Sequence, residues 1–584
     1  MKTITTFLSG LLLSALLLLP ATVRAAELEP FFTLKASSIN TFVSVAEKIA
    51  TMAGAADAAE FREFVATTKN IKGVDPNGIF GFAAAVNEDD DISMILLLPV
   101  TDLWRAEIPG SPEIFDSIRP FLVRRGEGKF EINSPMGTFI ATQNQNYLVI
   151  VPEDIADQTP ADPKTFFADL EKYTLGAKLD LEKVEFETIE GTLFGPLLLM
   201  AMMADPAAGE QIENAVEIYR ELYKEIAQVS FGMIFNPRTA DIDFPFSMTA
   251  RKGSDTAKAL AGYKQQPTIF GGFRGTPDNT VFSFGDSATQ PALENDKLME
   301  LNAKNWEAML EGIMESIELE EDDDLSELAK TAIDTVQKIF VTESKRGSSD
   351  FAVSLNTDGT LLFALDVASL ADIQKLAELA AGFASTKIEG DAKAMVEKNL
   401  NLGYTTVEGF KISSIKIPVI ATLEMFFGPA PSDVLGDLTL GVFWGAKEGN
   451  KQAVAVAAGL DFAKAEASFK SALEQTKTAA PVRKPSGVVS VTGLGKFLRD
   501  AIYPIALKAA ESEGAEDELV MFRNVIDIFT TAGNDATITV DAEVKSDRME
   551  GGYKVSGKVI QTFISVIQLA MESNFGSGAV IRDF

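Results

Sequence analysis

The sequence predicts an α+β fold: repeated modules of antiparallel sheet, each covered by helices on one face. Three observations lead there. A hairpin-plus-helix pattern occurs five times along the chain. In its clearest copy the apolar residues alternate with a period of two, and the segments after the hairpins carry apolar residues at helical spacing.

Residues 1–25 read as a signal peptide, with Lys2 ahead of an apolar stretch and small residues, Val23 and Ala25, at the cleavage positions. The stretch Phe7–Leu19 holds 13 residues. A membrane span needs roughly 20, so cleavage after Ala25 is expected rather than a retained transmembrane anchor. The chain has no cysteine, so no lipid-modified cysteine can follow the cleavage point. The expected location is the periplasm or the extracellular space.

The first hairpin unit is Phe80–Glu107, in which FGFAAAV and ISMILLLP flank the acidic turn NEDDD, and Pro99 and Asp102 mark the exit toward a helix. The order returns at Val229–Tyr263, Phe351–Leu379, Leu440–Leu473 and Ala536–Leu569. Each turn is polar and carries Gly, Asn, Asp or Pro where a hairpin requires them. In the last unit Ile538, Val540, Ala542 and Val544 alternate with Thr537, Thr539, Asp541 and Glu543, which predicts one wet face. After the third hairpin Ile373, Leu376, Ala380 and Phe383 form a helical stripe, with Ser369 placed to cap it.

A strand running directly into a helix starts near Phe31, Ala177 and Gly487, which suggests a module of strand, helix, helix, hairpin and helix. Proline-containing polar linkers at Pro152–Thr165 and Lys477–Gly487 punctuate the chain. The expected divisions are 26–151, 165–290, 291–477 and 486–584.

Composition narrows the chemistry. The formal net charge is −32, and cleavage would remove Lys2 and Arg24 but no acid. Such a field disfavours nucleic acid and anionic headgroups and favours a cationic protein as partner. There is no histidine and no cysteine. Their absence removes Ser-His-Asp and Cys-His nucleophile systems and every site ligated by imidazole or thiolate. No catalytic residue, metal site or cofactor is therefore assigned.

The acidic runs Asn87–Asp91 and Leu319–Glu327 lack the alternate spacing of a calcium loop, and solvated turns account for them. The Ser-x-x-Lys match at Ser413–Lys416 sits in an alternating strand rather than at a helix start. Glycan hydrolysis needs only two acids, but 3 Trp and 8 Tyr against 40 Phe offer few sugar platforms. The apolar stretch Gly191–Pro206 suits either a helix buried on all sides or the wall of a pocket for an apolar small molecule. The pocket reading takes Leu193, Phe194, Met200, Met202 and Met203, with Met425, Phe426 and Phe427 from a second stretch. Trp104 and Trp444, beside the hairpins, are candidate contact points or partly buried core residues.

With the five units aligned, including the strand exit LLLPVTD at Leu96–Asp102, the chain resembles uncharacterised exported bacterial proteins built from repeated β-hairpin–helix modules. The resemblance implies an envelope or secreted location and no activity. The expected function is a non-enzymatic binding or structural/assembly protein. Two alternatives stay open: a periplasmic carrier of lipid-like ligands, and a carboxylate-dependent hydrolase acting on glycans.

Overall fold

The computed structural model describes residues 30–55, 58–71, 73–86, 92–101, 122–126, 129–134, 137–158, 163–191, 206–275, 278–289, 323–387, 398–419, 438–449, 452–478, 480–481, 484–513 and 519–575. The expected signal peptide and the acidic turn NEDDD lie outside these residues. The chain divides into two compact units, 1–254 with 547–552, and 255–546 with 553–584.

The first unit contains β1 (Pro30–Ala36), β2 (Phe80–Val86), β3 (Ile92–Pro99), β4 (Leu122–Gly126), β5 (Lys129–Ser134), β6 (Gly137–Asn144), β7 (Tyr147–Pro152), β8 (Leu175–Asp180), β9 (Ile226–Phe235) and β10 (Ile242–Ala250). They pair antiparallel in the order β4-β5-β6-β7-β3-β2-β1-β8-β9-β10. The central strand β7, YLVIVP, is buried at every position, as expected of a strand covered on both faces. On one side Ile39 and Val43 of the helix Ile39–Met52 join Phe130, Phe139, Leu148 and Ile150. On the other, Ile95, Leu97, Val149 and Val151 meet Ile155 and Phe167 from two 3-10 helices, Glu153–Gln158 and Pro163–Leu170.

The second unit holds β11 (Lys264–Gln265), β12 (Thr280–Thr289), β13 (Ser348–Asn356), β14 (Leu361–Val367), β15 (Asn401–Val407), β16 (Phe410–Pro418), β17 (Thr439–Lys447), β18 (Gln452–Gly459), β19 (Ser486–Ser490) and β20 (Thr537–Val544). Their order is β15-β16-β17-β18-β14-β13-β12-β19-β20, with the two residues of β11 on the end of β12. β21 (Arg548–Val555) follows β20 after a short turn. In β20 the polar residues Thr539, Asp541 and Glu543 are exposed, and the alternating apolar set is half-buried.

Paired strands stand where the five hairpins were expected, but the modular fold is wrong. Within each unit the strands join into one large antiparallel sheet, and the structure is sheet-dominated rather than a chain of modules. Pairing runs straight across the expected divisions. β1 of the first expected module pairs with β8 of the second, at Phe32↔Leu179. β12, at the end of the second, lies between β13 of the third and β19 of the fourth. The physical reason is that an isolated two-stranded hairpin is marginal in water and leaves two open edges. Those edges are satisfied by strands distant in sequence, which a local pattern does not show. Coverage of one face only also fails in the first unit, whose sheet is packed on both. Among the described residues no helix is long and apolar enough to cross a membrane.

Candidate functional site

All eight residues of the expected apolar pocket, Leu193, Phe194, Met200, Met202, Met203, Met425, Phe426 and Phe427, lie outside the described residues, as does Trp104. Trp444 lies half-buried on β17. Ser413 and Lys416 both lie on β16, three positions apart and so on opposite faces, and they make no nucleophile pair. Among the described residues no group of three or more acidic side chains is arranged to hold a metal ion.

The second unit's sheet has two unlike apolar faces. One is built from small residues: Gly445, Ala455, Ala364, Ala352 and Gly285 stand directly opposite one another across β17, β18, β14, β13 and β12. This shallow face lets the helix Phe462–Glu474 approach closely. A Cβ on Gly441 would come within 2.7 Å of the Phe462 ring, and one on Gly459 within 3.1 Å of Ala465. Phe469 and Leu473 are fully buried there, and the Phe469 ring lies 6.3 Å from both Phe273 and Phe443.

The opposite face carries the large side chains. Trp444, Val456, Phe363, Val353 and Phe284 form one cross-strand row. Val442, Ala458, Leu361, Leu355, Phe282 and Val489 form the next. An antiparallel sheet with one face packed ordinarily presents polar residues on the other. Here the second face is apolar and still meets solvent, with Leu361 37%, Phe284 36% and Val489 38% exposed. From β17 to β19 it spans roughly 24 Å at the usual strand spacing.

Asp286 stands at the border of this face, opposite Phe351. Its carboxylate accepts hydrogen bonds from the Tyr263 hydroxyl at 3.2 and 3.4 Å. Burial pushes the carboxyl above its usual range, against the bonds from Tyr263 and the Ser287 backbone and the charge of Arg274. Burial and the Asp286 charge in turn push the Tyr263 phenol up. A carboxyl raised in the fold favours the folded state only at low pH; that contribution is lost as pH rises from about 3.9, the unfolded value, through the folded one. Asp286→Asn is therefore expected to raise the melting temperature relative to the natural chain at pH 7 and not at pH 3, read by thermal unfolding at both.

A cleft of about 630 Å³ lies in the first unit, lined by Lys35, Asp75, Asn77, Asn146, Phe167 and Glu171 among others. Its floor follows from the register. Lys35 on β1 stands opposite Gly81 of β2 and Gly176 of β8, and Gly176 stands opposite Gly232 of β9. Three glycines beside one lysine leave a gutter, and aromatic rings fill it. A Cβ on Gly81 would come within 1.7 Å of the Phe167 ring, and those on Gly176 and Gly232 within 2.6 and 2.5 Å of the Tyr173 ring.

Lys35 is 3% exposed. Its ammonium nitrogen donates to the carbonyl oxygens of Tyr173 at 2.5 Å and Glu171 at 3.1 Å, at the turn that ends the 3-10 helix Pro163–Leu170. Burial holds its pKa below the usual lysine value, partly offset by the nearby Glu171 charge. Sequence reasoning passed over this residue. In FFTLKAS the alternation places Thr33 and Lys35 on what reads as a solvent face, yet both are buried. Set against protein-family models, curated proteins and solved structures, the chain finds no match.

Proposed function

We propose that the protein is exported and acts by binding, and that its ligand is lipid-like, held on the large-residue face of the second unit's sheet. The observation that carries this reading is the reversal of bulk across that sheet. Alanine and glycine predominate on the face toward the packed helix, with Phe443 and Leu362 set among them, whereas Phe284, Leu361, Phe363 and Trp444 face the other way and are only partly covered. A strip of this width suits a hydrocarbon chain laid across the strands. Apolar atoms brought out of water there contribute about 25 cal/mol per Å². Export is supported by the leader-like residues 1–25.

The test is titration of the purified chain with cis-parinaric acid, whose fluorescence rises in an apolar site. Binding is expected, with Leu361→Asp and Phe284→Ser each weakening it at least tenfold. Val123→Asp, at an exposed position in the first unit, should leave it unchanged. No fluorescence rise with the natural chain, together with no co-purifying lipid in native mass spectrometry, would rule the reading out.

Assembly is a second reading, favoured by one observation. Phe563, Ile567 and Met571 recur every four residues on the helix Gly557–Phe575 and are 49%, 54% and 54% exposed. Hydrolysis has weaker support. Asp350 is committed to the Thr268 hydroxyl and the Ile269 amide, and Asp366 to Arg346 and the Asp350 amide.

A further inference from the structure

We infer that Lys35 is a nucleophilic amine that captures a small aldehyde or ketone in the first unit's cleft as an imine. This site is separate from the apolar face of the second unit and does not depend on that reading.

The geometry supports it in three ways. First, Lys35 lines the cleft together with Phe167 and Glu171, beside a glycine floor whose gaps at Gly81 and Gly176 are packed by the Phe167 and Tyr173 rings, so its amine sits in a largely apolar wall. Second, the nitrogen is anchored. Two of its N–H bonds donate to the carbonyl oxygens of Tyr173 and Glu171, and a tetrahedral nitrogen bonded to Cε and to those two hydrogens has one position left. In a neutral amine that position is the lone pair. Burial favours the neutral form, as the lowered pKa indicates. Third, a carboxylate is at hand, since Glu171 lines the same cleft and its charge acts on Lys35. A desolvated lysine amine beside a proton carrier is the arrangement that carbonyl condensation requires.

The step balances without any redox partner. The amine lone pair forms the N–C bond to the carbonyl carbon, and the carbonyl π pair moves to oxygen. The oxygen then leaves as water with both amine hydrogens, and the C=N bond forms. Protonation by solvent gives the iminium, whose charge faces the Glu171 carboxylate and whose one N–H keeps the shorter bond to the Tyr173 carbonyl. That carbonyl is also held by the Ser37 hydroxyl, so the anchor persists through the change. The bond to the Glu171 carbonyl is released.

The experiment uses the full chain, butanal and sodium cyanoborohydride at pH 7, with short incubations and peptide mapping of the butylated lysines. Hydride delivery fixes each imine as a stable secondary amine. Lys35 is expected to be labelled at least tenfold faster than Lys464, whose side chain is 63% exposed, and Lys69, at 38%. Lys35→Arg should remove one fast-labelling equivalent from the intact mass. Labelling of Lys35 in the folded natural chain at or below the rate of those two exposed lysines overturns the inference, and that comparison requires no variant to fold.

Discussion

Phe469→Ala should lower the stability of the second unit by about 3–5 kcal/mol, the usual cost of deleting a fully buried aromatic side chain. The position concentrates the core. Phe469 is 0% exposed and its ring meets Phe273 edge-on and Phe443 at a tilt. On β18 it packs in one cluster with Ala453, Ala455 and Ala457, all fully buried. Alanines have no rotamers with which to close a hole, so the cavity would persist. Hydrogen exchange resolved by peptide is the suitable measurement, because two units can unfold separately and one global midpoint would mix them. Faster exchange confined to β17, β18 and the helix Phe462–Glu474 is expected. Unchanged protection there would show that this packing does not hold the unit together.

Gly81→Val should destabilise the first unit by about 3 kcal/mol, at the upper end for overpacking a close-fitted core. A Cβ at this position lies 1.7 Å from the Phe167 Cζ, far inside contact distance, and Phe167 is itself 2% exposed. The ring must leave its slot, and the 3-10 helix Pro163–Leu170 must move with it. The same movement would disturb the turn whose carbonyls hold Lys35. Urea unfolding followed by exchange in β1 and β2 measures the loss. Pairing Gly81→Val with Phe167→Ala should cost less than the sum of the two single changes, because the deleted ring makes room for the added methyls.

The sequence made local chirality and period legible, and these sufficed for hairpins. The turn at Asn356 and Gly359 joins β13 to β14 where NTDG was read, and Ser369 accepts the amide of Asp372 at 3.3 Å at the start of the helix Leu370–Lys387, which contains the residues of the expected stripe, Ile373, Leu376, Ala380 and Phe383. Pairing between distant strands was not legible. Nothing in FFTLKAS names LGAKLD as its neighbour, and the register of β1 with β8 is fixed by burial on both faces of the finished sheet. The meander β4–β7 was also missed, because its strands are short and its turns small. Face assignment was ambiguous for a different reason. A pattern of apolar and polar counts Ala455 and Val456 alike, although only the smaller residue fits beneath a helix. Lys35 was not singled out at all, because nothing in FFTLKAS shows that its ammonium closes a turn contributed by residues 171 and 173.

The place of β12 in its sheet carries a consequence for how the chain is made. Its neighbour β19 arrives late, and the loop before β12 is tied to the helix after β19 by the Lys496 ammonium on the Asp278 carbonyl, 218 positions away. Loops of that length close slowly, and the strands that need them wait with open edges. A ribosome would therefore release almost the whole polypeptide before the second unit could complete itself. Were the chain exported unfolded, as proposed, that delay would act as timing: the segment would stay extensible until its last strands had crossed.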